Sequence, residues 1–568
     1  MLLALLWSVP VYADTHTAAS CSAAHIQTAI DAASDGDIVV VPAGTCAWTS
    51  VVVADLTAGG GRSLTIQGAG IGQTIISDTI NVQSVIPLTI TTAPGKSFRL
   101  TGFTFDGANQ YPNDTCSFSF PTSLCHDGMV FLGGTSTSIR VDHNAFVNVQ
   151  KRALYLDGAM HGVVDHNSFI KSSATTSVQT ITQFGDHIGA WAEPTGLGGS
   201  NFVFYEDNSF DYNLSTQFDS AFDAGGGARF VIRHNAFKGT AVGWHGTGSG
   251  GYRRGTRAFE VYSNTFTPAD SRGTSYAVGQ NMGGTGLIYN NTVGTGVNVW
   301  NLFTNMRTEG GSYDFWDTCD GRRKLVCSSS TYVHACSADA DCAPSSQHNE
   351  DLGTCTKHLC KSPSGGSTWT QCSTNTDCTG ALGAGYTCDG YFDGDRANGA
   401  NSSGTATCGT CSTTQMSVSG TPWTTNQWAG FYLYNESDKT GVDASRCLVA
   451  SNTASTITCN AAMAGGTSNT WSSSNAYTLT NGWPCRDQIG VGQNNELEPV
   501  YGWGNTELGS AAQLNGGGTY TYWTASRDFY TATTYNDLAQ KPTGYTAYTY
   551  PHPLTGEAPS APINVRIR

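Results

Sequence analysis

The chain has 568 residues, of which 12% are charged and 68 are glycine, with a net charge of −15. That charge leaves no basic stripe to neutralise phosphates, so a nucleic-acid partner is excluded. An apolar content of 39% excludes disorder, and the glycine excess suits an all-β fold with many turns.

In chain order, MLLALLWSVPVYA (1–13) reads as a signal peptide, an apolar run closed by Val11-Tyr12-Ala13 but without a positive n-region. The run is too short to cross a bilayer, and no other 18-residue apolar stretch occurs. Eighteen cysteines, an even number, also indicate export. The expectation is a secreted (extracellular or periplasmic), monomeric protein with no membrane span. IQTAIDAASDGDIVVVPAGT (26–45) predicts one short amphipathic helix followed by a strand. Cys21 and Cys46 flank it and can staple it; Cys116 and Cys125 can close a loop.

From residue 141 a pattern recurs: VDHNAF, VDHNSF, YEDNSF, IRHNAF, VYSNTF and IYNNTV. Its asparagines are Asn144, Asn167, Asn208, Asn235, Asn264 and Asn291, at spacings of 23, 41, 27, 29 and 27 residues. Periods in the twenties indicate a solenoid. Positions three before and two after each Asn are apolar, as in a strand with one buried face. Stacked Asn amides at a bend satisfy backbone groups that would otherwise be buried unpaired. These features predict a right-handed parallel β-helix with an asparagine ladder over 14–312. His143, His166 and His234 precede ladder positions and are expected to stack. Asp142, Asp165 and Glu206 form an outward column expected to be a solvated face.

Periodicity fails near residue 312. Residues 313–420 hold eleven cysteines, including CSADADC and CSTNTDC, and predict a disulfide-stapled insertion; zinc at CGTC (408–411) is the alternative. Residues 421–480 alternate apolar and polar and predict a small β module, with carbohydrate binding as its expected role. Residues 481–568 are expected to return to the solenoid, with GYTAYTYPHPL (544–554) as a surface tail.

The segment 26–45 resembles the N-terminal cap of pectin-lyase-like β-helix proteins, and FDSAFDAGGGARFVIRHNAF (218–237) resembles the calcium-site segment of pectate lyases. The resemblance covers about residues 185–293 and places Asp219 and Asp223 on two calcium ligands. GDHI (185–188) puts Asp186 on the third. AVGWHGTG (241–248) is similar to the family's next coil, and Arg272, eight residues past Asn264, falls at the catalytic arginine. The resemblance implies Ca²⁺-assisted β-elimination on an acidic, uronate-containing polysaccharide. The chain departs from the family at its clamp: no lysine stands on the AVGWHG strand, with Lys238 three residues before it, and the second arginine is replaced around Asn281. GWHGTGSGGYRRGTR instead offers His245 for acid/base work and Arg253, Arg254 and Arg257 for an anionic substrate. Residues four apart on an ideal strand lie about 13 Å apart, so Asp219 and Asp223 share one ion only if the backbone bends. A glycoside hydrolase on the same fold, using Asp186, Asp219 and Asp223, and a non-catalytic adhesin are the other readings.

Overall fold

The computed structural model describes residues 13–80, 85–107, 128–149, 152–171, 179–186, 189–213, 220–244, 254–270, 276–281, 283–295, 297–302, 323–329, 333–344, 351–363, 365–392, 402–409, 411–440, 443–480, 489–507, 510–511, 514–515, 528–531 and 541–556. Residues 1–12 of the expected signal peptide and the Cys116–Cys125 pair lie outside them. Two compact units divide the chain: 1–303 with 500–517 and 530–568, and 304–499 with 518–529.

The first unit begins with helix Ala23–Ala32, which buries Ala23, Ile26, Ala29 and Ile30. It packs on strands Thr15–Thr17, Asp37–Val41 and Val52–Asp55. The expected Cys21–Cys46 disulfide forms, and Trp48 Nε1 donates to the Cys21 carbonyl at 2.9 Å. The first coils are thus tied to the helix covalently and through their core.

Beyond the helix the chain winds through three sheets. One coil runs Ser138–Asp142, Ala145–Val147, Arg152–Asp157, and each segment pairs in parallel with the same segment of the next coil. Among the described residues sheet 1 has twelve strands, sheet 2 eleven and sheet 3 ten. This is the parallel β-helix that the repeats predict. The bend between sheets 1 and 2 explains the repeated motif. His143, His166, Asp207, His234, Ser263 and Asn290 all have φ between 52° and 56°, a left-handed conformation that polar residues tolerate best. The following Asn closes the bend: Asn167 Oδ1 accepts the backbone N–H and the amide of Asn144 at 3.0 and 3.1 Å, and Asn208 does the same for Asn167. The ladder continues through Asn291 to Asn505, across an intervening stretch of more than 200 residues. Inside, Phe105, Phe146, Phe169, Phe210, Phe237 and Phe266 stack with ring centroids 4.6–5.2 Å apart. After the second unit, strands Val500–Trp503 and Leu514–Asn515 rejoin sheets 1 and 3.

The second unit holds six of the seven disulfides among the described residues. Cys327–Cys342 and Cys336–Cys355 interlock, and Cys360–Cys378 and Cys372–Cys388 repeat the pattern. CSADADC and CSTNTDC are equivalent in the two copies. Asp341 Oδ2 accepts the Ser337 and Ala338 N–H groups at 2.7 and 2.8 Å, and Asp377 Oδ2 accepts those of Ser373 and Thr374 at 2.8 Å. A six-stranded antiparallel sheet follows between Ser402 and Thr480, so residues 402–417 pair with the module expected to begin at 421. Trp423, Trp428, Trp471, Leu433 and Ile457 fill its core. Cys408 and Cys411 are disulfide-bonded, which removes zinc as an account of CGTC.

Candidate functional site

Strand Arg152–Asp157 sets polar and aromatic groups on the outer face of sheet 3, where Asp157 is half-buried and Tyr155 is 1% exposed. Leu154 and Leu156 are fully buried and pair with Ile181 and Gln183. The opposite parity, Tyr155 and Asp157, lies on the outer face. Register extends that face sideways. Tyr155 pairs with Phe131 and Thr182, and Thr182 with Asp223. Asp157 pairs with Gly133 and Phe184, and Phe184 with Gly225. The Tyr155 ring stands 5.3 Å from that of Phe131 and 5.7 Å from that of Phe184. Arg152 donates through Nε to Thr182 Oγ1 at 2.9 Å and lies 5.5 Å over the Tyr155 ring.

Asp157 is the perturbed group of this face. Burial pushes its carboxyl up to about 6, against a hydrogen bond from the Tyr155 side chain that lowers it. A carboxyl in this state is partly protonated near neutral pH and can donate a hydrogen bond or a proton. Strand alternation in RALYLD carries a signal for Tyr155 and Asp157 on one face. Nothing local marks their neighbours Phe131, Phe184 and Gly225, which arrive from other coils.

Of the expected calcium ligands, Asp186 and Asp223 are described, and they do not stand side by side. Thr182, not Asp186, stands beside Asp223. Asp186 lies four residues further along, where Gly185 N–H meets the Gly226 carbonyl at 3.1 Å. Asp186 therefore lies past the end of the strand that carries Thr182, away from Asp223, whereas one calcium requires oxygens at about 2.3–2.6 Å. Asp186 is exposed and accepts the Ala190 N–H at 2.6 Å. GDHI is no strand of the sheet; the strand of that coil is Gln179–Phe184. Asp223 is 8% exposed, and its Oδ1 accepts the Ala224 N–H at 2.9 Å. Phe222 packs inside, against Tyr205 and Phe230. Asp219, His245, Arg253 and Arg272 lie outside the described residues. Among the described residues, the triads of His, Cys, Asp or Glu close enough to hold one ion are Cys327–Cys336–Cys342 and Cys360–Cys372–Cys378, all in disulfides.

The remaining basic candidates are placed as follows. Arg257 is fully buried and donates to the Glu193 carbonyl at 3.0 Å, with its guanidinium 5.1 Å from the Trp191 ring. Arg254, 3% exposed, lies 4.2 Å over the same ring. Both hold the 189–195 turn in place, a structural task where substrate contact was expected. Lys238 ends a strand of sheet 2 and pairs with Asp270 at 3.1 Å.

The acidic column of sheet 1 is no solvated face. Asp142, Asp165 and Glu206 are each 0% exposed. Arg99 and Arg140 pair with the two aspartates and Arg233 with Glu206. Burial raises Asp142, but the Arg99 hydrogen bond, His143 and Arg140 outweigh it and hold the carboxyl at about 2. The cover is the C-terminal tail: Arg140 binds the Leu554 and Thr555 carbonyls, and Arg233 those of Tyr548 and Thr549. His143 and His166 do stack, at 5.0 Å, and His234 stacks on Tyr550 of the tail at 3.7 Å.

Three parallel sheets, an inward asparagine ladder and an N-terminal capping helix define a parallel β-helix. No family model and no curated protein matches the chain. Among solved structures it is similar to an alginate lyase from Paenibacillus sp. str. FPU-7, at 14% identity and a TM-score of 0.33, over 51% of this chain and 89% of that one. A polygalacturonase from Erwinia carotovora ssp. carotovora gives 12%, 0.34, 52% and 81% in the same terms. The catalytic domain of a GH87 alpha-1,3-glucanase gives 12%, 0.27, 53% and 56%. Likeness of this degree assigns no chemistry, which rests on the side chains of this chain. No helix among the described residues is long and apolar enough to cross a membrane.

Proposed function

We propose that this chain is a secreted enzyme that cleaves a uronate-containing polysaccharide by β-elimination on the outer face of sheet 3. The observation that carries the proposal is Asp157, a carboxyl raised to about 6 beside Tyr155 on an aromatic outer face. Elimination removes the proton alpha to the uronate carboxylate. The electron pair moves into that carboxylate as an enediolate, then returns to form the ring double bond as the glycosidic oxygen leaves. An ionised carboxylate resists this step, and a neutral acid donating a hydrogen bond to it lowers the resistance. Asp157 in its protonated form fills that role, with the Tyr155 hydroxyl adjacent. His245 and Arg272 are the proposed base and proton partners. Asp186 and Asp223 do not meet and Asp219 lies outside the described residues, so no step here runs through a metal. Seven disulfides support an oxidising, extracytoplasmic setting.

One observation favours hydrolysis as a second reading. Asp157 and Asp223 stand two strands and two residues apart, about 12 Å between Cα atoms. Carboxyls leaning toward each other from there reach the separation of about 6.5–9.5 Å that inverting hydrolases use. Incubation with polygalacturonate, alginate and neutral glucans tests both. Ultraviolet absorbance from unsaturated uronate ends supports elimination. New reducing ends without absorbance support hydrolysis, and no product from any polymer refutes both.

A further inference from the structure

We propose that Phe131 and Phe184 are platforms on which two sugar units of the polymer pack, one on each side of Asp157; the inference rests on the polysaccharide-cleaving reading above. Both rings are half-buried on the outer face, away from the core that Leu132, Leu154, Leu156 and Ile181 fill. In register, Asp157 has Gly133 on one side and Phe184 on the other. The glycines of this face explain how the rings lie. A β-carbon on Gly133 would stand 2.7 Å from Phe131 Cε1 and 3.0 Å from its Cζ. One on Gly225 would stand 3.1 Å from Phe184 Cε1. Neither glycine is among those with positive φ, so the backbone admits any residue at either position. What needs the missing β-carbon is the ring, which settles onto the strand in the space it leaves. Phe131 lies against its own strand, and Phe184 leans onto the neighbouring one.

A phenylalanine that served packing would point into the solenoid, where full burial is worth about 1.5–3 kcal/mol. Two that lie outside, each given room by a glycine, forgo part of that stabilisation. Tyr155, itself buried, packs between the two half-buried rings and holds them apart, and the polar group beside it is the Asp157 carboxyl that its hydroxyl meets. An apolar lining with a few placed polar groups is the usual form of a small-molecule site. A pyranose ring fits it, with an apolar C–H face for the phenyl ring and polar substituents reaching Asp157.

The test uses the full chain, with turnover of the cleaved polymer and affinity electrophoresis in gels containing polygalacturonate, alginate or a neutral glucan. Phe131→Ala and Phe184→Ala are each expected to raise KM about ten-fold, the scale of one aromatic contact. Both should also lose gel retardation and keep the wild-type pH profile. Gly225→Ala, which crowds the Phe184 ring, should move KM in the same direction, and Phe184→Trp should restore it. Unchanged KM and retardation in both alanine variants overturn the platforms while leaving the role of Asp157 standing. If no polymer is cleaved, the reading of the reaction fails, and retardation alone decides the platforms. Retardation lost in the alanine variants upholds them; retardation kept, or absent from the wild type in every gel, overturns them.

Discussion

Replacing Asn208 with alanine removes a central rung of the ladder, and its cost follows from the bonds it makes. Asn208 Oδ1 accepts the Asn167 backbone N–H at 3.0 Å and the Asn167 amide at 3.1 Å. Its Nδ2 donates to the carbonyls of Val164 and Glu206 at 2.8 and 3.0 Å and to Asn235 Oδ1 at 3.1 Å. Alanine leaves the Asn167 N–H buried without that acceptor, a loss of about 1–3 kcal/mol. The other contacts add about 0.5–1.5 kcal/mol each where the partner keeps no second bond. We therefore expect about 3–5 kcal/mol of destabilisation, read from urea unfolding followed by far-ultraviolet circular dichroism. Asn505, the half-buried end rung, donates to the Ile288 carbonyl and serves Asn291 alone. Asn505→Ala should cost about 1–2 kcal/mol. A loss below 1 kcal/mol for Asn208→Ala, or equal losses at both rungs, would refute the claim that the stacked amides hold the bend.

Arg233→Met should free the C-terminal tail. The guanidinium binds Glu206 and the Tyr548 and Thr549 carbonyls and lies between the Phe204 and Tyr550 rings. Its loss strands a buried carboxylate, at a cost of about 3–5 kcal/mol, and hydrogen exchange over 541–556 should rise sharply; wild-type protection in the variant would contradict this. Acidification should loosen the same tail. Burial first, and the Arg233 charge second, hold His234 and His552 down to about 4. The folded form therefore binds fewer protons than the unfolded one between about pH 6.5 and 4, and stability is lost as pH falls through that window. Exchange over 541–556 that stays flat from pH 7 to 4 would count against it. Reduction under native conditions should expose 323–480 to protease and leave the solenoid intact, since among the described residues the solenoid holds Cys21–Cys46 and the second unit the other six disulfides. Simultaneous digestion of both would show that the solenoid also depends on its bond.

The solenoid was legible because its signal is repeated. Each coil restates the Val or Ile, the Asn and the Phe, so inward columns and bends can be read without knowing how coils align. The capping helix and its disulfide are equally local. The expected pairing of Asp186 with Asp223 is not formed because it depends on alignment. The chain between Gln179–Phe184 and the next strand of that sheet carries a helical turn, Gly189–Ala192, and nothing in GDHI says that Asp186 has already left the strand. Tyr155 and Asp157 were missed because no motif marks them; their neighbours in register come from strands 24 to 68 residues away. The acidic column was recognised as outward, but its cover is a tail more than 340 residues downstream. Arg254 and Arg257 read as a basic loop because the Trp191 ring they face belongs to another coil.

The central claim is that Asp157 acts as a neutral hydrogen-bond donor on the outer face of sheet 3. The most direct measurement is the pH dependence of polyuronate cleavage, followed by absorbance of the unsaturated ends, for the wild type and Asp157→Asn. Wild-type rate should fall as pH rises through about 6, where the carboxyl loses its proton. Asparagine still donates a hydrogen bond and does not titrate, so its rate should be measurable and flat through that region, whereas Asp157→Ala should be inactive. A wild-type profile indifferent to pH between 5 and 7, or an asparagine variant as dead as alanine, would contradict the account.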